Sequence, residues 1–203
     1  SNDCKLLHCE DWAVGRDAVM EIAALSVGGS RCKSDVRTAL IGSGGSLKQA
    51  VTVHGLGSRH IDNHIEIDHK VANCNSRLVV NSACAGSSRS ITTGLLKVAE
   101  GANLTDAGQV FRNLLLSDKA RADSIPELEV LADEVKAAHG AASSPVNPEQ
   151  VHYLMSRGHS PQQAETLIVE GFLIDAFSNL RDSDLKDVLA TRMTVHLECE
   201  LKR

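Results

Sequence analysis

The densest run of groups able to do chemistry is His60-Ile-Asp-Asn-His-Ile-Glu-Ile-Asp-His69. Imidazole and carboxylate are the donors that zinc and iron take. On a strand, His60, Asp62, His64, Glu66 and Asp68 share one face, while Ile61, Ile65, Ile67 and His69 take the other. Same-face neighbours then lie about 6.6 Å apart, so a chelate needs a facing strand. Two readings stay open. His60, Asp62, His64 and Glu66 could hold a metal in a zinc- or iron-dependent β-fold enzyme, or they could be the solvated outer face of a sheet.

A second concentration precedes Gly140. His139 follows Asp123, Glu127, Glu129, Asp133 and Glu134, a set with no cation among them. Such carboxylates would raise a histidine's pKa or join it as hard ligands. A satisfied structural histidine fits the same residues. Gly42-Ser-Gly-Gly-Ser-Leu-Lys48 is glycine-rich, but its spacing is wrong for a phosphate loop and no Gly-Lys-Ser/Thr follows. No Gly-x-Ser-x-Gly elbow and no His-Glu-x-x-His motif is found.

Composition narrows the field. The 203 residues are enough for one sizeable core and at most two small domains, burying about 70% of the unfolded surface. The apolar fraction of 42% is ordinary, but aromatic residues make up only 2%. The five rings are Trp12, Phe111, Tyr153, Phe172 and Phe177. A thick two-layer sandwich wants more, whereas a thin aliphatic core suits a solenoid. The net charge is −5 and no dense Lys/Arg run occurs, which argues against nucleic acid as the main partner. There is no apolar run of spanning length and no signal peptide, so no membrane partner is expected. Cys4, Cys9, Cys32, Cys74, Cys84 and Cys199 form no Cys-x-x-Cys pair and read as reduced thiols of a cytoplasmic protein. Ser1-Asn2 reads as a cleavage scar, with native residues expected upstream.

The elements that must position these groups alternate between short β-branched runs and breakers. Residues 1–17 show no clear period and read as a truncated N-terminal segment. The period-2 runs are Ala18–Val27, Ser34–Ile41, Leu47–Val53, Ile61–Val71, Ser76–Val80, Ser88–Thr93 and Leu95–Ala99, with Gln109–Leu116 and Glu127–Val135 as the last strands. Clusters of Gly, Asn and Ser separate them at spacings that fit a sandwich, barrel or solenoid. Scarce aromatics, turns without tight Asn-Gly hairpins and inward ladders of small and β-branched residues favour the β-solenoid over 18–142. After Ala142 the pattern turns helical, giving a C-terminal helical subdomain over 143–203. Asn147-Pro148-Glu149-Gln150 and Ser160-Pro161-Gln162-Gln163 are each an N-cap, a first-turn proline and an N3 glutamine. Gly158 sits where a helix C′ glycine belongs, Ala164, Leu167, Ile168, Gly171 and Phe172 keep helical spacing, and a third helix should run from Ser183 through Leu185–Lys202.

Several long motifs also resemble one family. Gly101-Ala-Asn-Leu-Thr-Asp-Ala-Gly-Gln-Val-Phe-Arg-Asn-Leu-Leu-Leu-Ser-Asp118, Ile125-Pro-Glu-Leu-Glu-Val-Leu-Ala-Asp-Glu-Val-Lys-Ala-Ala-His-Gly-Ala141, Glu149-Gln-Val-His-Tyr-Leu-Met-Ser-Arg-Gly158 and Ala164–Phe172 are similar to the C-terminal half of the SufB/SufD family, the scaffolds of SUF iron–sulfur cluster assembly. The stretch from His64 through Asn75-Ser76 and Ile91-Thr-Thr-Gly-Leu-Leu-Lys-Val98 is similar as well. The resemblance covers Ile61–Asp175 and is weak before it.

The resemblance implies a mainly β fold, a right-handed parallel β-helix (β-solenoid) followed by a small C-terminal α-helical subdomain. It implies that this subdomain docks a SufC-type ABC ATPase, with Tyr153, Arg157 and Phe172 as candidate docking residues. A second SufB/SufD-type chain would pair through the last strands, as homodimer or heterodimer, and a transient iron–sulfur cluster would form near that interface. His139 matches the position implicated as a cluster or iron ligand. Phe111 stands where SufB-type chains carry a sulfur-accepting cysteine, and Gly140 where they carry a glutamate. The chain is thus nearer SufD, or a minimal homodimeric scaffold of the archaeal type. In a homodimer, Asp133, Glu134 and His139 would have to supply ligands. The expected protein is a cytoplasmic scaffold and not an enzyme.

Overall fold

The computed structural model describes residues 3–201. Ser1 and Asn2, read above as a scar, and Lys202, the expected end of the third helix, lie outside the described residues. The ten strands are β1 (Lys5–Val14), β2 (Val19–Ser26), β3 (Arg31–Leu40), β4 (Ser46–Gly55), β5 (His60–His69), β6 (Asn75–Cys84), β7 (Arg89–Val98), β8 (Asp106–Leu115), β9 (Arg121–Val130) and β10 (Lys136–Pro145). The odd-numbered strands form one sheet in the order β1-β3-β5-β7-β9, and the even-numbered ones the other, β10-β8-β6-β4-β2. Every pairing is parallel. The chain therefore winds as a parallel β-solenoid of five turns, as expected.

In-register stacking turns strand alternation into columns. On β5, Ile61, Asn63, Ile65, Ile67 and His69 are buried, and His60, Asp62, His64, Glu66 and Asp68 face outward. Leu40, Leu47, Ile61, Ile65, Ile67, Leu78, Val80 and Phe111 build the narrow core between the sheets. Gly94 shows how narrow it is. A methyl there would collide with the Phe111 ring and the Gln109 amide.

Three strand assignments differ from the periodicity. Ser88–Thr93 and Leu95–Ala99 are one strand, β7, because Gly94 pairs with Ile65 instead of breaking the ladder. The segment without a period is β1, held by pairing along its whole length with β3. Glu127–Val135 is not the last strand. β9 ends at Val130, and β10 follows over a run of Ala, Gly and Ser that alternation does not mark. Pairing with β8, from Lys136↔Asp106 to Pro145↔Leu115, overrides the weak local preference.

The helices are α1 (Pro148–Ser156), α2 (Pro161–Asp175) and α3 (Ser183–Leu201). Asn147 caps α1, and Ser160 with Gln163 forms a reciprocal capping box on α2. Gly158 has φ +98°, as a helix C′ residue requires. α2 and α3 lie across the outer face of the even sheet. Val169, Leu173, Met193 and Leu197 pack on Ala83 and Leu114, while Phe177, Leu180 and Leu189 pack on Ala50. Ala50, Thr52, His54, Val79, Asn81 and Ala83 point outward and are nonetheless buried.

Two histidines are buried, one beneath the helices and one inside the solenoid. His54 lies under α3, its Nδ1 3.0 Å from Nε2 of His196. Burial first, then His196 and Arg59, lower its pKa from 6.5 to about 4. His69, inside the solenoid and bonded through Nε2 to Ser76 Oγ at 2.9 Å, is lowered to about 4 by burial.

Two outcomes follow. Gly94→Ala should cost about 1–3 kcal/mol in urea unfolding through overpacking, and an unchanged midpoint would contradict the packing. Between pH 6.5 and about 4 the unfolded chain binds protons that His54 and His69 in the folded chain refuse. Stability should be full above pH 6.5 and fall as pH drops to about 4, by on the order of 3 kcal/mol per histidine. The fall should be shallower in His54→Gln.

Candidate functional site

The solenoid ends in two strands that are edges of their sheets, β9 and β10. Polar side chains hold this last turn together from within. Asn113 Nδ2 on β8 donates to Ser124 Oγ on β9 and Ser143 Oγ on β10, each at 2.9 Å. Gln109 Nε2 on β8 donates to the Glu127 carbonyl on β9 at 3.0 Å. These bonds fix the spacing of β8, β9 and β10 where an aliphatic stack would leave it loose.

His139 is the fourth residue of β10 and not the end of an acidic strand. It pairs in register with Gln109, which is buried. It therefore belongs to an inward-facing column, yet it is exposed, because no further strand of the described chain stacks on β10. Asp133 and Glu134 are exposed in the turn between β9 and β10, where the Glu134 carbonyl accepts from Leu104 N at 2.6 Å. The turn and the strand thus bring the three predicted groups to one end of the solenoid. They do not form a closed ligand set. Among the described residues, no three or more His, Cys, Asp or Glu side chains gather closely enough to hold a metal ion.

The His60–His69 run behaves differently. Asp62 Oδ2 pairs with Lys33 Nζ at 2.7 Å, His64 Nδ1 lies 3.2 Å from Asp35, and Glu66 pairs with Lys97 at 2.9 Å. Asp35 is also held by Arg37, whose hydrogen bond is the main cause of its lowered pKa, with His64 adding to it. His60 sits in register between Arg31 and Arg89. The carboxylates that a metal would need are thus each engaged by a neighbouring turn's cation or imidazole.

Phe111 is 1% exposed and points into the core, in register with Val80 and Ala141. Its position offers no ligating atom. On the helical side, Tyr153 is exposed and carries the Arg157 guanidinium 5.1 Å from its ring centre. Tyr153, Leu154, Leu167, Ile168 and Phe172 line an open groove between α1, α2 and the end of β10. Sequence reasoning singled out three of the residues here but missed Asn81. Its Nδ2 donates to the Phe172 carbonyl at 2.7 Å, one of the last-turn carbonyls of α2 that have no partner within the helix. Nothing in the sequence links positions that far apart.

A family model described as SUF system FeS cluster assembly, SufBD core domain, matches residues 2–172. The chain is 30% identical over 183 residues to the iron–sulfur cluster assembly protein SufD of Escherichia coli, an overlap covering 90% of this chain and 43% of that one. Over 179 residues it is 32% identical to SufD of Bacillus subtilis, covering 88% of this chain and 41% of the relative. An iron–sulfur cluster assembly SufBD family protein of Mycobacterium bovis is 29% identical over 210 residues, covering 100% of this chain and 52% of its own. The chain spans about half the length of these relatives or less.

The Asn81 bond gives a direct check on how the helices are seated. Asn81→Ala leaves the Phe172 carbonyl without its donor and should cost about 1 kcal/mol or more in urea unfolding. A smaller effect than an exposed Asn→Ala control would contradict it.

Proposed function

The chain belongs to the SufBD core family of the SUF system, and from that premise we propose that it is a scaffold on which a nascent iron–sulfur cluster is assembled. Its role in iron–sulfur cluster assembly is that of the family; the finer assignments are our reading. The observation that carries it is the open last turn, where His139 is exposed on a strand whose outer edge no described residue pairs. An edge of this kind takes another strand. A second SufB/SufD-type chain laid against β10 would add its own ligands to His139, Asp133 and Glu134; in a homodimer two copies of these three residues would meet at one interface and complete a ligand set that one chain leaves open.

The cluster is cargo here, held by imidazole and carboxylate in place of the cysteine that Phe111 replaces. That exchange favours a SufD-like or homodimeric scaffold. The groove at Tyr153, Arg157 and Phe172 is the surface we assign to a SufC-type ABC ATPase, which would supply the energy that a chain without a phosphate loop cannot. In this reading the chain is not itself an enzyme and works in the cytoplasm. No described helix is long and apolar enough to cross a membrane.

Anaerobic reconstitution with iron and sulfide tests the assignment. Wild type should carry a cluster, by iron, sulfide and visible absorption. His139→Ala should lose most of it while keeping the wild-type melting temperature, because the residue is exposed. Equal content in both would remove His139 from the site. Cluster loss on His64→Ala alone would move the site to β5.

A further inference from the structure

The outer face of the odd sheet carries a column of four cations and one histidine that no linear run announces. Register places Lys5 beside Arg31, Arg31 beside His60, His60 beside Arg89, and Arg89 beside Arg121. Each is the first residue of its strand, so all five stand in one column at one margin of the sheet. Adjacent strands are about 4.8 Å apart, so the column is about 19 Å long. Lys5, Arg31, Arg89 and Arg121 are exposed. Of the five, only Arg89 has an ion-pair partner among the described residues, Asp123 at 2.6 Å.

The arrangement works against stability. Like charges directly opposite each other in neighbouring strands repel. The chain as a whole carries −5, with carboxylates to spare for pairing such a column. Apart from Asp123, it uses them elsewhere. The columns farther along the same strands hold eight carboxylates, Asp11, Asp35, Asp62, Glu66, Asp68, Asp123, Glu127 and Glu129, against three cations, Lys33, Arg37 and Lys97. The face is therefore polarised, with a narrow cationic margin beside an anionic field.

We infer that this margin is a docking surface for an extended acidic peptide segment of a partner protein, lying along the column and across the strands. The fit is one of charge and spacing. An extended peptide presents every second side chain on one side, about 6.7 Å apart. About three carboxylates then span the five-rung column, within reach of its four cations. The anionic field beside the margin holds such a segment to a single file. Nucleic acid is the other polyanion of similar repeat. A single strand needs stacking platforms as well as cations, and no aromatic residue stands on this outer face. A duplex would press its second strand into the carboxylates.

Fluorescence anisotropy with a labelled decaglutamate peptide tests the inference. The wild-type chain should bind it with an affinity that falls steeply with salt. Arg31→Gln with Arg121→Gln should weaken binding about tenfold or more. Removing the same charge off the ladder, by Lys136→Gln with Arg192→Gln, should change it less than threefold. The ladder variant should melt no lower than wild type, which separates lost docking from lost folding. The inference is overturned by absent binding, by equal weakening in the two variants, or by tighter binding of an oligothymidylate of equal charge.

Discussion

Every feature of this chain depends on one constraint, the in-register parallel pairing of each strand with the strand one turn away. That pairing satisfies the backbone of every inner turn and converts position along a strand into position in a column. It sets what can stand inside, where aliphatic residues stack around Gly94 and Phe111, and what must stand outside. It also cannot be completed at the last turn. β10 has a neighbour on one side only, so the same rule that closes the interior leaves an edge with unpaired backbone groups.

The helices answer a different need. A two-sided sheet that buries only its inner face could leave its outer face in water, and the odd sheet does so. The even sheet carries Ala50, Val79 and Ala83 outward, and α2 and α3 cover them, joined by apolar contacts and by the Asn81 bond to Phe172. The helical region is therefore a flank and not a plug. It closes one side of the solenoid and leaves the final edge uncovered. Two outer faces with opposite fates, one packed and one charged, give the molecule two chemically different flanks.

The sequence made much of this legible, for physical reasons. Alternation over Ile61–His69 announces a strand with one buried face because the hydrophobic period is strict there. Asn147 and Ser160 announce helix starts because capping is a local interaction. β10 could not be read in that way. Lys136-Ala-Ala-His-Gly-Ala-Ala-Ser-Ser-Pro145 has no alternation, and only its pairing with β8 makes it a strand. The cationic column was hidden for a related reason. Its members are separated by about one solenoid turn of chain, so a search for basic runs finds none. His139 stands out in the sequence through the carboxylates before it and through the family resemblance; its inward-facing column comes from its register with Gln109.

The central claim is that the outer edge of β10 is open and takes another strand. Hydrogen exchange of individual β10 amides, followed by NMR from dilute to concentrated protein, tests it most directly. The account predicts two alternating sets. Amides bonded to β8 should be protected throughout, and those facing away should exchange freely when dilute and become protected as chains pair. If the outward-facing amides are protected equally at every dilution, the edge is already covered within one chain and the account is wrong.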